Sequence, residues 1–235
     1  MGNSIFLSLI AGTCTALGAV MLFLKRTWSN RSLAFFLGLA SGVMVAVVVF
    51  DMLPSALIFS GYKKAIIGFA AGIITLWLVN SIAFSRSNGS DSLLGLGYLI
   101  MLGIALHDLP EGMAIALGGE MKARTGMVIA LAIGIHNIPE GMAIAAPLIM
   151  GGMKRFSIFF RILLLGLITP LGTIAGIAAV SVVPGILPLL LGFASGVMIY
   201  LVGAQLWPQA GMKDRQSRRW GFWLGMVVIL AATFI

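Results

Sequence analysis

The amino-acid sequence predicts an all-α membrane protein of eight transmembrane helices. Three observations carry that prediction: an excess of apolar residues, eight apolar stretches of membrane-spanning length, and two internal resemblances that link those stretches. Sixty per cent of the 235 residues are hydrophobic and 9% are charged, against about 25% charged in a soluble domain. A soluble core of this size cannot hide so much apolar surface, so lipid must solvate it.

The stretches lie at residues 4–24, 33–54, 64–84, 92–118, 124–150, 157–180, 188–208 and 219–235. A span takes about 20 apolar residues, within a range of about 17–25, and the last stretch sits at the lower limit. With their short loops the eight use up the chain. Residues 1–235 therefore read as a single transmembrane domain, and any function must lie among the helices. The first stretch follows no charged segment and is followed by Lys25 and Arg26, the order of an uncleaved first span. Cys14 within it is the chain's single cysteine, so no intrachain disulfide forms and its expected role is packing. Residues Ser85–Ser92, rich in Ser, Gly and Asn, read as a polar linker.

The net charge is +8, from fifteen basic and seven acidic residues. In a soluble protein that balance suggests nucleic acid. With eight spans, however, the loops alternate between two sides. One side receives Lys25, Arg26, Arg31, Arg86, Lys154, Arg155, Arg161, Lys213, Arg215, Arg218 and Arg219, and the other only Lys63, Lys64, Lys122 and Arg124. The positive-inside rule places the richer set in the cytoplasm. The expectation is a multi-pass protein of the cell membrane (inner or plasma) with both termini extracytoplasmic. Because the charges follow topology, no nucleic-acid partner is expected.

Two stretches resemble each other. Residues 37–56, LGLASGVMVAVVVFDMLPSA, and residues 191–210, LGFASGVMIYLVGAQLWPQA, agree at half their positions, including Pro54 and Pro208. These are spans two and seven, which cross in opposite directions, as in the inverted repeats of secondary transporters. A second likeness joins spans four and five. Residues 104–117, IALHDLPEGMAIAL, and 133–146, IGIHNIPEGMAIAA, match at nine of fourteen positions. The chain thus divides into a first three-helix repeat (1–84), a central pair (92–150) and a second three-helix repeat (157–235).

The only two histidines, His107 and His136, lie in that central pair, each followed four residues later by a glutamate, Glu111 and Glu140. On a helix this spacing puts both side chains on one face. Two such helices facing each other form a cage of two imidazoles and two carboxylates at mid-membrane, a donor set suited to Zn²⁺ or Fe²⁺. The absence of thiolate argues against copper(I), and the imidazoles argue against a pure Mg²⁺ or Ca²⁺ site. Asp108, Glu111 and Glu140 would together cost on the order of 8–10 kcal/mol at a helix centre if charged and unpaired. A bound cation offsets that cost. Asp108 and Asn137 stand about 100° around their helices from the histidines. They form a second ion site sharing the glutamates, or they orient the ligands; both readings stay open. Pro110 and Pro139 lack the N–H that would bond the carbonyls of Leu106 and Ile135, so each is expected to kink its helix and free a carbonyl. Gly112 and Gly141 permit close approach beside each glutamate.

The segments HDLPEG and HNIPEG resemble the fourth- and fifth-span signatures of the ZIP family of metal-ion transporters, with the bacterial members nearest. The resemblance covers essentially the whole chain. It implies eight spans, extracytoplasmic termini, a three-two-three arrangement with inverted repeats, and elevator-like alternating access. It implies a binuclear site in the central pair, with Zn²⁺ the leading cargo and Fe²⁺, Mn²⁺ and Cd²⁺ as alternatives. His107, Glu111, His136 and Glu140 match the first metal site, and Asp108 and Asn137 match positions of the second. Three places depart from the family pattern. Thr169 precedes Pro170 where many relatives carry a glutamate of the second site. Gln205 and Gln209 flank Pro208 where acids are frequent, and Ser55 stands where another acid is frequent, though Asp51 is kept. The first site therefore reads as complete and the second as weakened. Asp51 and Gln205 occupy equivalent places in the resembling spans, and with Thr169 they are candidates for the ion pathway.

The expected partners are divalent metal ions and the lipid bilayer, and a homodimer is compatible with the sequence. No prosthetic group is expected and the chain is not read as an enzyme: H-E-x-x-H of the zinc proteases is missing. The alternatives are a metal-gated channel or sensor and, further off, an intramembrane metalloenzyme.

Overall fold

The computed structural model describes residues 2–24, 28–58, 62–84, 93–179 and 183–234. Lys25, Arg26, Arg86 and the expected linker at 85–92 lie outside the described residues. Eight long helical runs follow one another: α1 (Gly2–Phe23), α2 (Asn30–Leu57), α3 (Tyr62–Ile82), α4 (Leu93–Met121), α5 (Ala123–Met150), α6 (Arg155–Ala178), α7 (Gly185–Lys213) and α8 (Arg215–Phe234). No strand occurs among the described residues. The first seven are long and apolar enough to cross a membrane. α8 falls short of that measure because its opening turns carry Arg215, Arg218 and Arg219. Seven of the eight expected spans meet this measure, and α8 is a twenty-residue helix beside them.

The junction of α7 and α8 is held by polar contacts. The Ser217 amide donates to the Asp214 carboxylate at 2.7 Å, capping α8, and Arg31 lies 3.9 Å from the same carboxylate. The hydrogen bond from Ser217, more than the charge of Arg31, holds the Asp214 carboxyl below the usual carboxylate range. Arg218 lies 3.8 Å from the centre of the Trp207 ring and donates to the Trp207 carbonyl at 3.1 Å.

Small residues decide which helices touch. Without a hydrophobic drive in lipid, helices associate by close backbone contact at small residues. Gly38 and Gly42 of α2 lie against Arg218 and Phe222 of α8, so the two helices run parallel. Gly192 and Gly196 of α7, which align with Gly38 and Gly42, lie likewise against Ala65 and Phe69 of α3. On the other side of the molecule Gly141 of α5 lies against the Thr15 carbonyl of α1, Gly112 of α4 against the Thr169 carbonyl of α6, and Gly12 of α1 against Gly166 of α6. Among the described residues, these backbone contacts fall within two groups of helices: α1, α4, α5 and α6, and α2, α3, α7 and α8. Between the groups, Gly103 of α4 meets only the side chains of Leu76 and Leu201. The interface there is built from large aliphatic residues, among them Leu37, Met44, Leu76, Ile100, Ile104 and Leu201.

The backbone irregularities are not where the sequence suggests. α4 and α5 run on as α-helix through Pro110 and Pro139. One lost donor is tolerated where neighbouring helices and the flanking bonds hold the turn. The altered turns occur instead as π-helical segments at Val48–Met52 in α2, at Asn80–Phe84 where α3 ends, and at Val202–Leu206 in α7. Those in α2 and α7 each end one residue short of a proline: the Leu53 amide donates back to Val48 and the Trp207 amide to Val202. A wider turn relieves the clash between a proline ring and the carbonyl four residues earlier.

Candidate metal site

α4 and α5 pack side by side and antiparallel, bringing their two motifs level at the centre of the first helix group. Gly112 and Gly141, next to the glutamates, let α6 and α1 close against this pair. Six polar residues are gathered there. His107, Asp108, Asn137 and Glu140 are 0% exposed, and Glu111 and His136 are 2% exposed.

The pairing runs across the helices. His107 Nε2 lies 3.4 Å from Glu140 Oε2, and His136 Nε2 lies 3.2 Å from Glu111 Oε2. Each motif's histidine thus faces the other motif's glutamate, so the cage of two imidazoles and two carboxylates is assembled from both helices at once. Asp108 joins one half: its Oδ1 is 3.6 Å from His107 Nε2. His107, Asp108 and Glu140 each bring one ligating atom within 4.8 Å of the other two. Asn137, which corresponds to Asp108 in the second motif, turns away. Its Nδ2 donates to the Ala11 carbonyl of α1 at 3.0 Å.

Several polar atoms in this cluster make no hydrogen bond among the described residues: both oxygens of Asp108, Oε1 of Glu111 and of Glu140, Oδ1 of Asn137 and Nδ1 of His107. Leaving a buried polar group unsatisfied costs about 1–3 kcal/mol, more when it is charged. Nearly all these atoms are lone-pair donors. A cation among them would satisfy several at once.

The two halves differ in access. A cavity of about 140 Å³ reaches the cluster from the end of the bundle where α4 meets α5. Glu111 and His136 form part of its wall together with Asp51, Ser55 and Thr125. Apolar residues such as Val47, Leu187 and Leu191 line the rest. His107, Asp108 and Glu140 lie behind it. Asp51, on the π segment of α2, is thereby brought to the site, and Ser55 Oγ lies 3.4 Å from its Oδ1. Gln205, on the π segment of α7, is only 9% exposed and does not line the cavity. Thr169 is fully buried; its carbonyl contacts Gly112 while its hydroxyl makes no hydrogen bond.

The comparisons with known proteins agree with this geometry. Residues 86–233 match the family model described as ZIP Zinc transporter. The chain belongs to the ZIP family of divalent metal-ion transporters. Zinc transporter ZTP29 of Arabidopsis thaliana is 35% identical over 229 residues, covering 87% of this chain and 83% of that protein. Zinc transporters named ZupT from Chlorobaculum parvum and Escherichia fergusonii are 30% and 32% identical, each covering 97% of this ZIP chain and 95% of its own length.

Two features of this ZIP chain were missed by reasoning on the sequence. One is Ala11 of α1 as the partner of Asn137. The other is Thr15, buried beside Gly141 with its hydroxyl unpaired. The only signal in α1 is a small-residue face (Ala11, Thr15, Gly18, Ala19) that turns inward at helical spacing.

Proposed function

We propose that this ZIP-family chain carries divalent transition-metal ions, Zn²⁺ foremost and Fe²⁺, Mn²⁺ or Cd²⁺ in competition, into the cytoplasm by alternating access. The observation that carries the reading is the cross-paired cluster of His107, Glu140, His136 and Glu111, buried between α4 and α5 and reached by a cavity from one end. His107, Glu111, His136 and Glu140 are the proposed primary ligands, with Asp108 adding a carboxylate on the His107 side and Asn137 positioning α5 through Ala11. The relatives named zinc transporters support Zn²⁺ as cargo.

In this reading the central pair (92–150) sits between two three-helix repeats (1–84 and 157–235) of inverted topology, with α8 the eighth span and both termini extracytoplasmic. The matching π segments at Val48–Met52 and Val202–Leu206 support the repeats. So do the helix pairings: exchanging α1 with α6, α2 with α7, α3 with α8 and α4 with α5 converts the α2–α8 contact into the α7–α3 contact and α1–α5 into α6–α4. The partition of backbone contacts supports an elevator-like step. α1, α4, α5 and α6 would move as one body, carrying the ion past α2, α3, α7 and α8 across the aliphatic interface. Metal binding neutralises the carboxylates and so lowers the cost of moving the site across that interface.

The test is uptake of radiolabelled Zn²⁺ into proteoliposomes, comparing the wild type with a folded His107→Ala/His136→Ala variant. Saturable uptake that the variant loses is the expected result. Equal uptake in both would move the functional site elsewhere. Uptake through both that does not saturate would favour a channel.

A further inference from the structure

The π segments of α2 and α7 place four polar residues at matching steps. Residues 37–56 align with 191–210, so Asp51 corresponds to Gln205 and Ser55 to Gln209. Each pair stands one turn apart, on either side of the proline that follows its π segment. The same correspondence exchanges His136 and Glu111 for His107 and Glu140. Asp51 and Ser55 share the open cavity with His136 and Glu111. Exchanging the repeats converts this cavity into a second one at the other end, lined by Gln205, Gln209, His107 and Glu140. In this structure the first mouth is open. Asp51 is exposed where Gln205 is buried, and His136 is 2% exposed where His107 is 0%.

The chemistry of the two mouths is not equivalent. The open one carries a carboxylate with a hydroxyl beside it, and its counterpart carries two uncharged amides. A carboxylate at the mouth of a low-dielectric cleft concentrates cations there by about tenfold or more. An amide offers an oxygen dipole and no net charge, so an ion leaving past it is not held. We propose that Asp51 with Ser55 forms a recruiting vestibule for the hydrated divalent ion and that Gln205 with Gln209 forms a neutral discharge vestibule, so that unequal charge at the two mouths favours capture from one side and release to the other. This inference rests on the carrier reading above. The cavity has room for an ion that keeps part of its water shell, consistent with capture at Asp51 before full ligation by Glu111 and His136.

The test uses the full chain in proteoliposomes of one orientation, measuring Zn²⁺ influx and, after preloading, Zn²⁺ efflux. Asp51→Asn is expected to raise the influx KM about tenfold with little change in maximal rate or in efflux KM, and Asp51→Glu to restore it. Gln205→Asp is expected to lower the efflux KM and to slow maximal influx, because the departing ion is retained. Equilibrium Zn²⁺ binding in detergent should stay at the wild-type level in all three. An unchanged influx KM in Asp51→Asn, or an unchanged efflux KM in Gln205→Asp, overturns the proposal. Loss of equilibrium binding in Asp51→Asn also overturns it, by placing Asp51 in the primary ligand set. A wild type without saturable flux, with Zn²⁺ binding intact, overturns the carrier reading itself and this proposal with it.

Discussion

The Glu111 carboxylate meets the His136 imidazole of the neighbouring helix at 3.2 Å, although His107 lies one turn away on its own helix. The reciprocal contact, His107 with Glu140, is 3.4 Å. Each half of the site therefore depends on both helices, and neither motif can assemble it alone. Replacing either glutamate by glutamine keeps a hydrogen-bonding partner for the facing imidazole while removing the charge. Glu111→Gln and Glu140→Gln are each expected to weaken Zn²⁺ binding by at least about 10–100-fold, the range seen even for groups one step removed from a metal. Thermal stability should stay near wild type. Titration of detergent-solubilised protein against a chromophoric chelator measures this, and an affinity within a few-fold of wild type in either variant would remove that carboxylate from the ligand set.

Asp108 and Asn137 occupy the same step of the two motifs and do different things. Asn137 uses its amide N–H to tie α5 to the Ala11 carbonyl of α1. A carboxylate at 137 would face that carbonyl with no proton to share, so Asn137→Asp should destabilise the fold by about 1–3 kcal/mol. Asp108 carries no such tie and stands 3.6 Å from His107 Nε2. Asp108→Asn should leave the melting temperature close to wild type and weaken metal binding. Melting curves and binding isotherms on the two variants separate the roles. If Asp108→Asn melts early with unaltered affinity, Asp108 is structural.

The likeness of α4 and α5, the pairing of each histidine with a glutamate on one face, and the close approach at Gly112 and Gly141 were all legible in the sequence, because periodicity and residue size fix them locally. The cross-pairing was not, since it depends on how two antiparallel helices register. Nor could the sequence distinguish the fates of Asp108 and Asn137. Those depend on α1, whose Ala11 contributes only a backbone carbonyl and leaves no trace in residue identity. The π segments were also hidden. Pro54 and Pro208 mark where a turn must adapt, but so do Pro110 and Pro139, around which the α-helix simply continues. The weakness of the last span was visible from its length and from Arg218 and Arg219.

Gly112 and Gly141 make a packing prediction. A Cβ at Gly112 would overlap the Thr169 carbonyl, and one at Gly141 the Thr15 carbonyl. Neither neighbour is a flexible side-chain tip that can move aside. Gly112→Ala and Gly141→Ala are each expected to cost about 1–3 kcal/mol by overpacking and to lower uptake by displacing the adjacent glutamate. Gly203→Ala is the control, because nothing lies within 4 Å of a Cβ there. The comparison is of melting temperatures in detergent. Equal stability in all three would mean that α1 and α6 can back away from the central pair at no cost.

The aliphatic seam between the two helix groups gives the last prediction. Gly103 of α4 faces the side chains of Leu201 of α7 and Leu76 of α3, whereas many glycine contacts inside each group, such as Gly12 with Gly166 and Gly42 with Phe222, bring backbone against backbone. A seam of side chains can slide; interlocked backbones resist it, because every glycine contact would have to separate. In a Cys14→Ser background, a Gly103→Cys/Leu201→Cys pair bridged by a short bifunctional thiol reagent would join the two groups. It should abolish Zn²⁺ uptake while leaving equilibrium Zn²⁺ binding intact, and cleavage of the bridge should restore uptake. A bridge placed within one group, at Gly97→Cys of α4 with Leu148→Cys of α5, where a side chain again faces the glycine, should leave uptake largely unaffected. Full uptake with the seam bridged would show that the ion crosses without relative movement of the two groups.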